Sequence, residues 1–227
     1  MLYELPWKQT NAGIVLASGK PTTKRGVIFY GVFKRVLDIT LVILALPAVL
    51  PVVIILGVLV AADGGPALYS QPRVGRNGKI FKFWKLRSMV PNAKLELERY
   101  LERSPEAREE WETTQKLKCD PRLTFVGRYL RRYSLDELPQ LWNVLVGDMS
   151  LVGPRPMMPE QRTLYPGTAY YSLRPGLTGL WQISARNCSS FAARAEYDNS
   201  YAMTVSASTD INILFRTVSV VFRGTGC

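Results

Sequence analysis

Apolar and polar positions divide this chain into one long uninterrupted apolar run and a body of short, differently patterned segments. From Ile39 to Ala62 the run "ITLVILALPAVLPVVIILGVLVAA" carries no charge. As a helix its 24 residues would reach roughly 36 Å, enough to cross a hydrocarbon core. That length exceeds the usual 8 to 20 residues of a globular core helix, so a membrane segment is expected. Pro47 and Pro51 lie near its middle, where each removes a backbone donor and should bend the helix. Cationic residues flank it on both sides, Lys24, Arg25, Lys34 and Arg35 before and Arg73, Arg76, Lys79 and Lys82 after, so charge gives neither flank a preference for the cytoplasm. A helix that enters, turns at the prolines and returns fits these features, and so does an ordinary spanning helix.

Downstream, "SQPRVGRNGKIFKFWKLRSM" alternates apolar with basic residues about Asn77-Gly78, which predicts a β-hairpin. Residues 92–118 are densely charged and read as two surface helices, the second starting at Ser104-Pro105. An amphipathic helix is expected around Arg128 and Arg132, and another ends at the Gly147-Asp148 turn. Two Pro- and Gly-rich loops follow, "SLVGPRP" and "RPGLTGLWQI", each with an arginine, Arg155 and Arg174. Ile211, Leu214, Phe215, Val218, Val221 and Phe222 recur at helical spacing and predict a C-terminal amphipathic helix that packs on the body or lies at a membrane interface.

Composition narrows the chemistry. With 227 residues the chain can build one domain with its own core. Its 29 basic against 18 acidic residues, a net charge of +11, point to anionic partners: nucleic acid, phospholipid head groups or nucleotide phosphates. Three well-separated cysteines, Cys119, Cys188 and Cys227, have neither metal-ligand nor disulfide spacing and suit a reducing compartment. The absence of histidine removes the commonest general base, so acid-base or nucleophilic work falls to carboxylates, Lys, Tyr or Cys.

Against this basic background "YSLDELPQLWNVLVGDMSLVGPRP" sets Asp136 beside Glu137. Ser134 to Glu137 matches a capping box, but a helix capped at Ser134 would put Pro139 at its fifth position, where a backbone hydrogen bond is forfeited. A start near Leu138, with Pro139 first, is the more natural reading. It leaves both carboxylates at the positive end of a helix, where they should stay ionised. An ionised aspartate there suits nucleophilic attack on phosphorus, assisted by a divalent hard cation, and arginines in Pro-flanked loops suit bidentate phosphate contacts. Helix capping and surface charge remain the structural alternative.

The ordered set "KRVLD", "RVGRNGKIFKFWKLRSM", "DPRLTFVGRYLRR", "SLDELPQLWNVLVGDMSLVGPRP" and "RPGLTGLWQI" resembles the bacterial sugar transferase family, the monotopic phosphoglycosyl transferases, over about residues 30–223. The resemblance implies an α-rich α+β fold: a compact cytoplasmic body with a few short strands and interfacial amphipathic helices, on a re-entrant membrane helix broken at proline. It implies an N-terminal extension over 1–30, the membrane helix over 31–62 and a catalytic domain over 63–227. Many members break that helix at Ser-Pro; here Leu50-Pro51 stands at that place, with Pro47 in addition, so the break would rest on the two prolines alone.

The implied reaction moves a sugar 1-phosphate from a UDP-sugar to undecaprenyl phosphate and releases UMP, at the cytoplasmic face of the bacterial inner membrane. Asp136 is the implied nucleophile and magnesium ligand, Glu137 its partner in the dyad, Mg²⁺ the implied cofactor and Arg155 a phosphate contact. Lys85, Arg87, Arg174 and Gln182 fall in the matching motifs and are implied to bind substrate. The chain looks most like short exopolysaccharide-initiating enzymes of galactosyl- or glucosyl-phosphate type, with UDP-galactose expected ahead of UDP-glucose. Inner-membrane lipids are implied partners, homodimerisation is compatible with the sequence without being indicated by it, and nucleic acid is not an expected partner. A scaffold that keeps the fold without catalysis is the alternative function.

Overall fold

The computed structural model describes residues 24–114, 117, 119–184 and 190–222, so the start of the expected N-terminal extension, Cys188 and Cys227 lie outside the described residues. Helix α1 runs from Lys24 to Ala61 with Pro47 and Pro51 both inside it, and takes in residues on both sides of the expected boundary at residue 30. From Tyr30 to Ala61 it is long and apolar enough to cross a membrane, and almost none of that stretch is buried.

Strands β1 (Leu68–Val74) and β2 (Ile80–Leu86) form the expected antiparallel hairpin, with Leu68 opposite Leu86 and Val74 opposite Ile80. Asn77 and Gly78 both take the positive φ that the tight connection demands, 57° and 77°. This register puts Gln71, Arg73, Phe81, Phe83 and Lys85 on one face, because directly opposed residues of an antiparallel pair point the same way. Helices α2 (Ala93–Arg103) and α3 (Pro105–Thr114) are the two charged helices, and the Ser104 hydroxyl accepts from Ala107 N at 3.2 Å at the start of α3. Helix α4 (Phe125–Arg132) is capped by Thr124, whose hydroxyl accepts from Gly127 N at 2.9 Å, and α5 (Gln140–Val146) stops at Gly147, φ 93°.

The two Pro- and Gly-rich segments, expected as loops, contain a short parallel pair: β3 (Ser150–Val152) against β4 (Gly176–Thr178). Pairing continues past β3, with Gly153 N donating to Thr178 O and Gly176 N to Pro154 O, each at 2.8 Å. Only glycine permits this approach, since a Cβ on Gly176 would stand 2.1 Å from Gly153 N and one on Gly153 2.3 Å from Arg174 O. The short helices α6 (Ala169–Ser172) and α7 (Leu180–Ser184), then α8 (Arg194–Thr204) and α9 (Ala207–Phe222), complete the body. Helix α9 packs through Ile213 and Leu214 while Ile211, Phe215 and Val218 stay exposed, so much of its apolar periodicity faces outward.

Three apolar clusters organise the body. The largest joins Val42 of α1 to Phe81, Phe83, Val144, Met149, Val152, Tyr201 and Ile213. A second, Val60, Leu86 and Leu130, lies at the far end of α1. A third, Val74, Met157, Tyr165, Tyr170 and Ala195, contains no residue of α1.

Polar anchors hold both ends of α1 to this one body. Asp38 accepts from Ser150 Oγ at 2.7 Å and from Leu151 N at 3.2 Å, Arg35 donates to the Leu145 carbonyl at 2.7 Å, and Tyr30 and Lys34 both reach Asp210. At the other end Arg87 donates to Val60 O at 2.9 Å and pairs with Asp63.

Candidate active site

Asp136 and Glu137 sit in a single 3-10 turn, Leu135–Glu137, between α4 and α5. The chain enters that turn through Ser134 in the left-handed region, φ 55°, and α5 begins at Gln140 directly after Pro139. The proline therefore stands just ahead of the helix, as its chemistry requires, and no helix capped at Ser134 runs through it.

Asp136 is 5% exposed. Burial pushes its carboxyl above the ordinary value, Lys85 pulls it back, the neighbouring Glu137 raises it again, and Arg131 lowers it. The connected α5 has only seven residues, and desolvation, not the helix end, dominates this carboxylate. Lys85 Nζ lies 3.0 Å from Glu137 Oε1 and 3.5 Å from Asp136 Oδ2. Arg155 approaches the same Glu137 oxygen at 3.4 Å. An acid pair is thus held between a lysine on the hairpin and an arginine on the Gly-Pro loop.

A cavity of about 320 Å³ opens beside the pair, lined by Glu137, Arg155, Gln182 and apolar residues of α9 including Leu214 and Val218. Gln182 is buried, and neither its amide oxygen nor its amide nitrogen has a hydrogen-bond partner.

The structure brings together Asp136, Glu137, Lys85, Arg155 and Gln182, and places two of the sequence-derived residues elsewhere. Arg87 closes the far end of α1, donating to Pro66 O at 2.7 Å, to Val60 O and to the Asp63 carboxylate, which it holds down at about 2. Arg174 donates to Gly147 O at 3.1 Å, at the C-terminal end of α5, and the charges that act on it are Arg76, Arg35 and Asp38. Arg87 and Arg174 are tied up by backbone carbonyls, as arginines that staple a fold are.

Two cations that motif reading left aside, Arg73 and Arg194, are both acted on by Arg155. Arg73, from the hairpin face that carries Lys85, lies over the Phe83 ring at 5.3 Å, the same distance at which Lys85 Nζ approaches that ring. Arg194 lies over Trp181 at 4.2 Å and Phe191 at 4.6 Å. Strand alternation could have shown Arg73, since its register partner is the buried Phe81. For Arg194 no local pattern gives a signal.

The short hairpin and the Gly-Pro parallel crossing thus each send a cation, Lys85 and Arg155, to the acid pair. A sequence profile of the bacterial sugar transferases matches residues 29–224, and the chain belongs to that family. It is 49% identical over 195 residues to an undecaprenyl-phosphate galactose phosphotransferase of Salmonella typhimurium, covering 85% of this chain and 41% of that protein. It is 45% identical over 199 residues to the exopolysaccharide production protein ExoY of Sinorhizobium fredii, 86% of this chain and 88% of that one. An undecaprenyl-phosphate glucose phosphotransferase of Komagataeibacter xylinus is 35% identical over 200 residues, 82% of this chain and 35% of the relative. The chain therefore spans about two fifths of the length of its Salmonella relative.

Proposed function

We propose that this protein is a membrane-bound phosphoglycosyl transferase that moves a sugar 1-phosphate from a UDP-sugar to undecaprenyl phosphate, the opening step of an exopolysaccharide. The observation that carries the reading is the buried Asp136 beside Glu137, with Lys85 reaching both carboxylates and Arg155 reaching Glu137. A carboxylate largely stripped of water is a stronger nucleophile than a solvated one, and the adjacent cations suit the charge that gathers on phosphoryl oxygens.

In the first step an Asp136 oxygen bonds to the β-phosphorus of the donor. The bond from that phosphorus to the bridging oxygen breaks, and UMP leaves with the bonding pair. In the second step an oxygen of the lipid phosphate bonds to the same phosphorus and frees the Asp136 carboxylate, giving an undecaprenyl diphosphate sugar. Glu137 orients Lys85, and Lys85 and Arg155 hold phosphoryl oxygens. Gln182, with its amide unpartnered at the cavity wall, is placed to receive donor hydroxyls or phosphate.

Magnesium fits the donor set. Among the described residues no group of three or more acidic, His or Cys side chains could hold an ion alone, whereas Mg²⁺ is usually bound by one or two carboxylates together with substrate phosphates. Asp136 and Glu137 would hold it with the diphosphate, whose charge it would offset.

The anchors of α1 support a membrane arrangement. Asp38 and Val60 are both tied to the body, although a straight helix between them would extend roughly 33 Å. One body reaching both ends favours re-entry at Pro47 and Pro51 over a full span, with the body at the cytoplasmic face, where UDP-sugars are. Exposed Phe125, Tyr129, Trp142, Phe215 and Val218, with the exposed Arg128 and Arg132 on α4, would lie at the lipid interface. Relatives named for galactose at higher identity than the one named for glucose favour a galactose donor.

The test is nucleotide release from nanodisc-embedded protein with undecaprenyl phosphate and Mg²⁺, offering UDP-galactose, UDP-glucose and UDP-N-acetylhexosamines in turn, wild type beside Asp136→Asn. UMP from one donor, lost in the variant, supports the mechanism. UDP in place of UMP means ordinary glycosyl transfer, and no release from any donor leaves a non-catalytic scaffold.

A further inference from the structure

The third apolar cluster has an arrangement that packing alone does not explain. Three of its buried members, Val74, Met157 and Ala195, come from distant parts of the chain, and each stands next to or two residues after an arginine: Arg73, Arg155 and Arg194. Val74 N donates to Met157 O at 3.0 Å, and the Tyr170 hydroxyl accepts from Met157 N at 3.2 Å while donating to Val74 O. Tyr165 packs edge-on against Tyr170 and donates to Asp198 at 2.8 Å, one turn along α8 from Arg194. The cluster thereby locks the end of β1, the Gly-Pro loop and the start of α8 together.

What it gathers is like charge. Burial, and after it Arg155, pulls Arg73 down to about 10; burial, then Arg155 and then Asp198 and Arg73 act on Arg194, also held near 10. Arg73 donates to Gln71 at 2.9 Å, but its Nε, like that of Arg194, is buried without a hydrogen-bond partner. Buried donors without acceptors lower stability unless an anion completes them. Arg194 packs over Trp181 at 4.2 Å and Arg73 over Phe83 at 5.3 Å, which restrains both forks before any ligand arrives.

We propose that Arg73 and Arg194, with Arg155 between the cluster and the acid pair, form a phosphate subsite for the nucleotide half of the donor, separate from the contacts of Lys85 and Glu137 at the transferred phosphoryl group. This rests on the transfer reading above. The cluster that builds the subsite contains no residue of α1, whereas the other two both do. A lipid phosphate approaches from the α1 side and a water-soluble nucleotide from the other, so the phosphate held here is that of UMP, before and after it leaves.

The experiment is calorimetric titration of the full chain in nanodiscs with UMP and, separately, with a short-chain polyprenyl phosphate, comparing wild type, Arg73→Gln and Arg194→Gln. Each substitution removes charge-assisted hydrogen bonds and should weaken UMP binding about tenfold while leaving the lipid phosphate unaffected. UMP binding unchanged in both variants overturns the subsite, and weakened binding of the lipid phosphate alone overturns its assignment to the nucleotide. Should the Gln variants fail to fold, Arg73→Lys and Arg194→Lys keep the charge without the fork and should still weaken UMP binding; wild-type affinity in both would overturn the proposal. UMP binding needs no turnover, so its loss is distinct from a failure to release UMP from a UDP-sugar.

Discussion

Lys85 Nζ stands 3.0 Å from Glu137 Oε1, and the two residues are 52 positions apart in the chain. The hairpin register delivers this ammonium to the acid pair, where it counteracts the burial of Asp136. Lys85→Met removes a charge that lowers the Asp136 pKa, so that pKa rises and the acid limb of the rate profile moves to higher pH. With its charge-assisted contacts gone, turnover at pH 7 should fall about tenfold or more. A pH series of UMP release reads both effects; an acid limb that stays in place would separate Lys85 from the ionisation of Asp136.

Asp136→Asn should trade activity for stability. Burial raises the folded-state pKa of Asp136 above its ordinary value of 3.8, so ionisation at neutral pH opposes folding. The neutral amide avoids this, and the variant should be more stable by roughly 0.5–2 kcal/mol at pH 7–8. The advantage should shrink as the pH falls and the wild-type carboxyl is protonated. Thermal unfolding of both proteins across pH checks the sign.

Asp198 is buried and held up at about 6, with burial the main cause and the Tyr165 hydrogen bond lowering it. Because the folded value lies above the ordinary 3.8, the stability it contributes is full below about 3.8 and is lost as pH rises through about 6. Tyr165→Phe should destabilise by about 1–3 kcal/mol, most above pH 6, where an ionised carboxylate would lose its donor. Asp198→Asn should flatten the pH dependence of thermal unfolding between about 4 and 6.

The crossing of β3 with β4 sets where Arg155 stands, two residues after Gly153. Gly176→Ala would place a Cβ 2.1 Å from Gly153 N and 2.4 Å from Thr178 O, so the strands must separate. A loss of about 1–3 kcal/mol together with a fall in UMP release is expected. Gly31→Ala, inside α1 where a Cβ meets nothing within 4 Å, is the control and should unfold no lower than the wild type, since alanine favours a helix over glycine.

Local chemistry was enough to mark several elements. The uncharged run marked α1, Asn77-Gly78 the hairpin, Ser104-Pro105 the start of α3, and Pro139 the start of α5, because each depends on spacing or on the backbone limits of nearby residues. The acid pair was visible for the same reason: two carboxylates beside a proline read as more than a helix cap. The parallel pairing inside the Gly-Pro segments was hidden, because partners more than twenty residues apart leave no periodic trace and the glycines look like loop signals until their close approach is seen. Equally, nothing in the local sequence separates the roles of the four arginines, and only packing sends Arg87 and Arg174 to backbone carbonyls while it gathers Arg73 and Arg194 beside Arg155. The sequence by itself determined the long apolar helix, the local elements and the presence of the Asp136-Glu137 pair. The tertiary structure decided that Asp136 is buried and which cations meet the pair, since burial and charge convergence depend on segments brought together from across the chain.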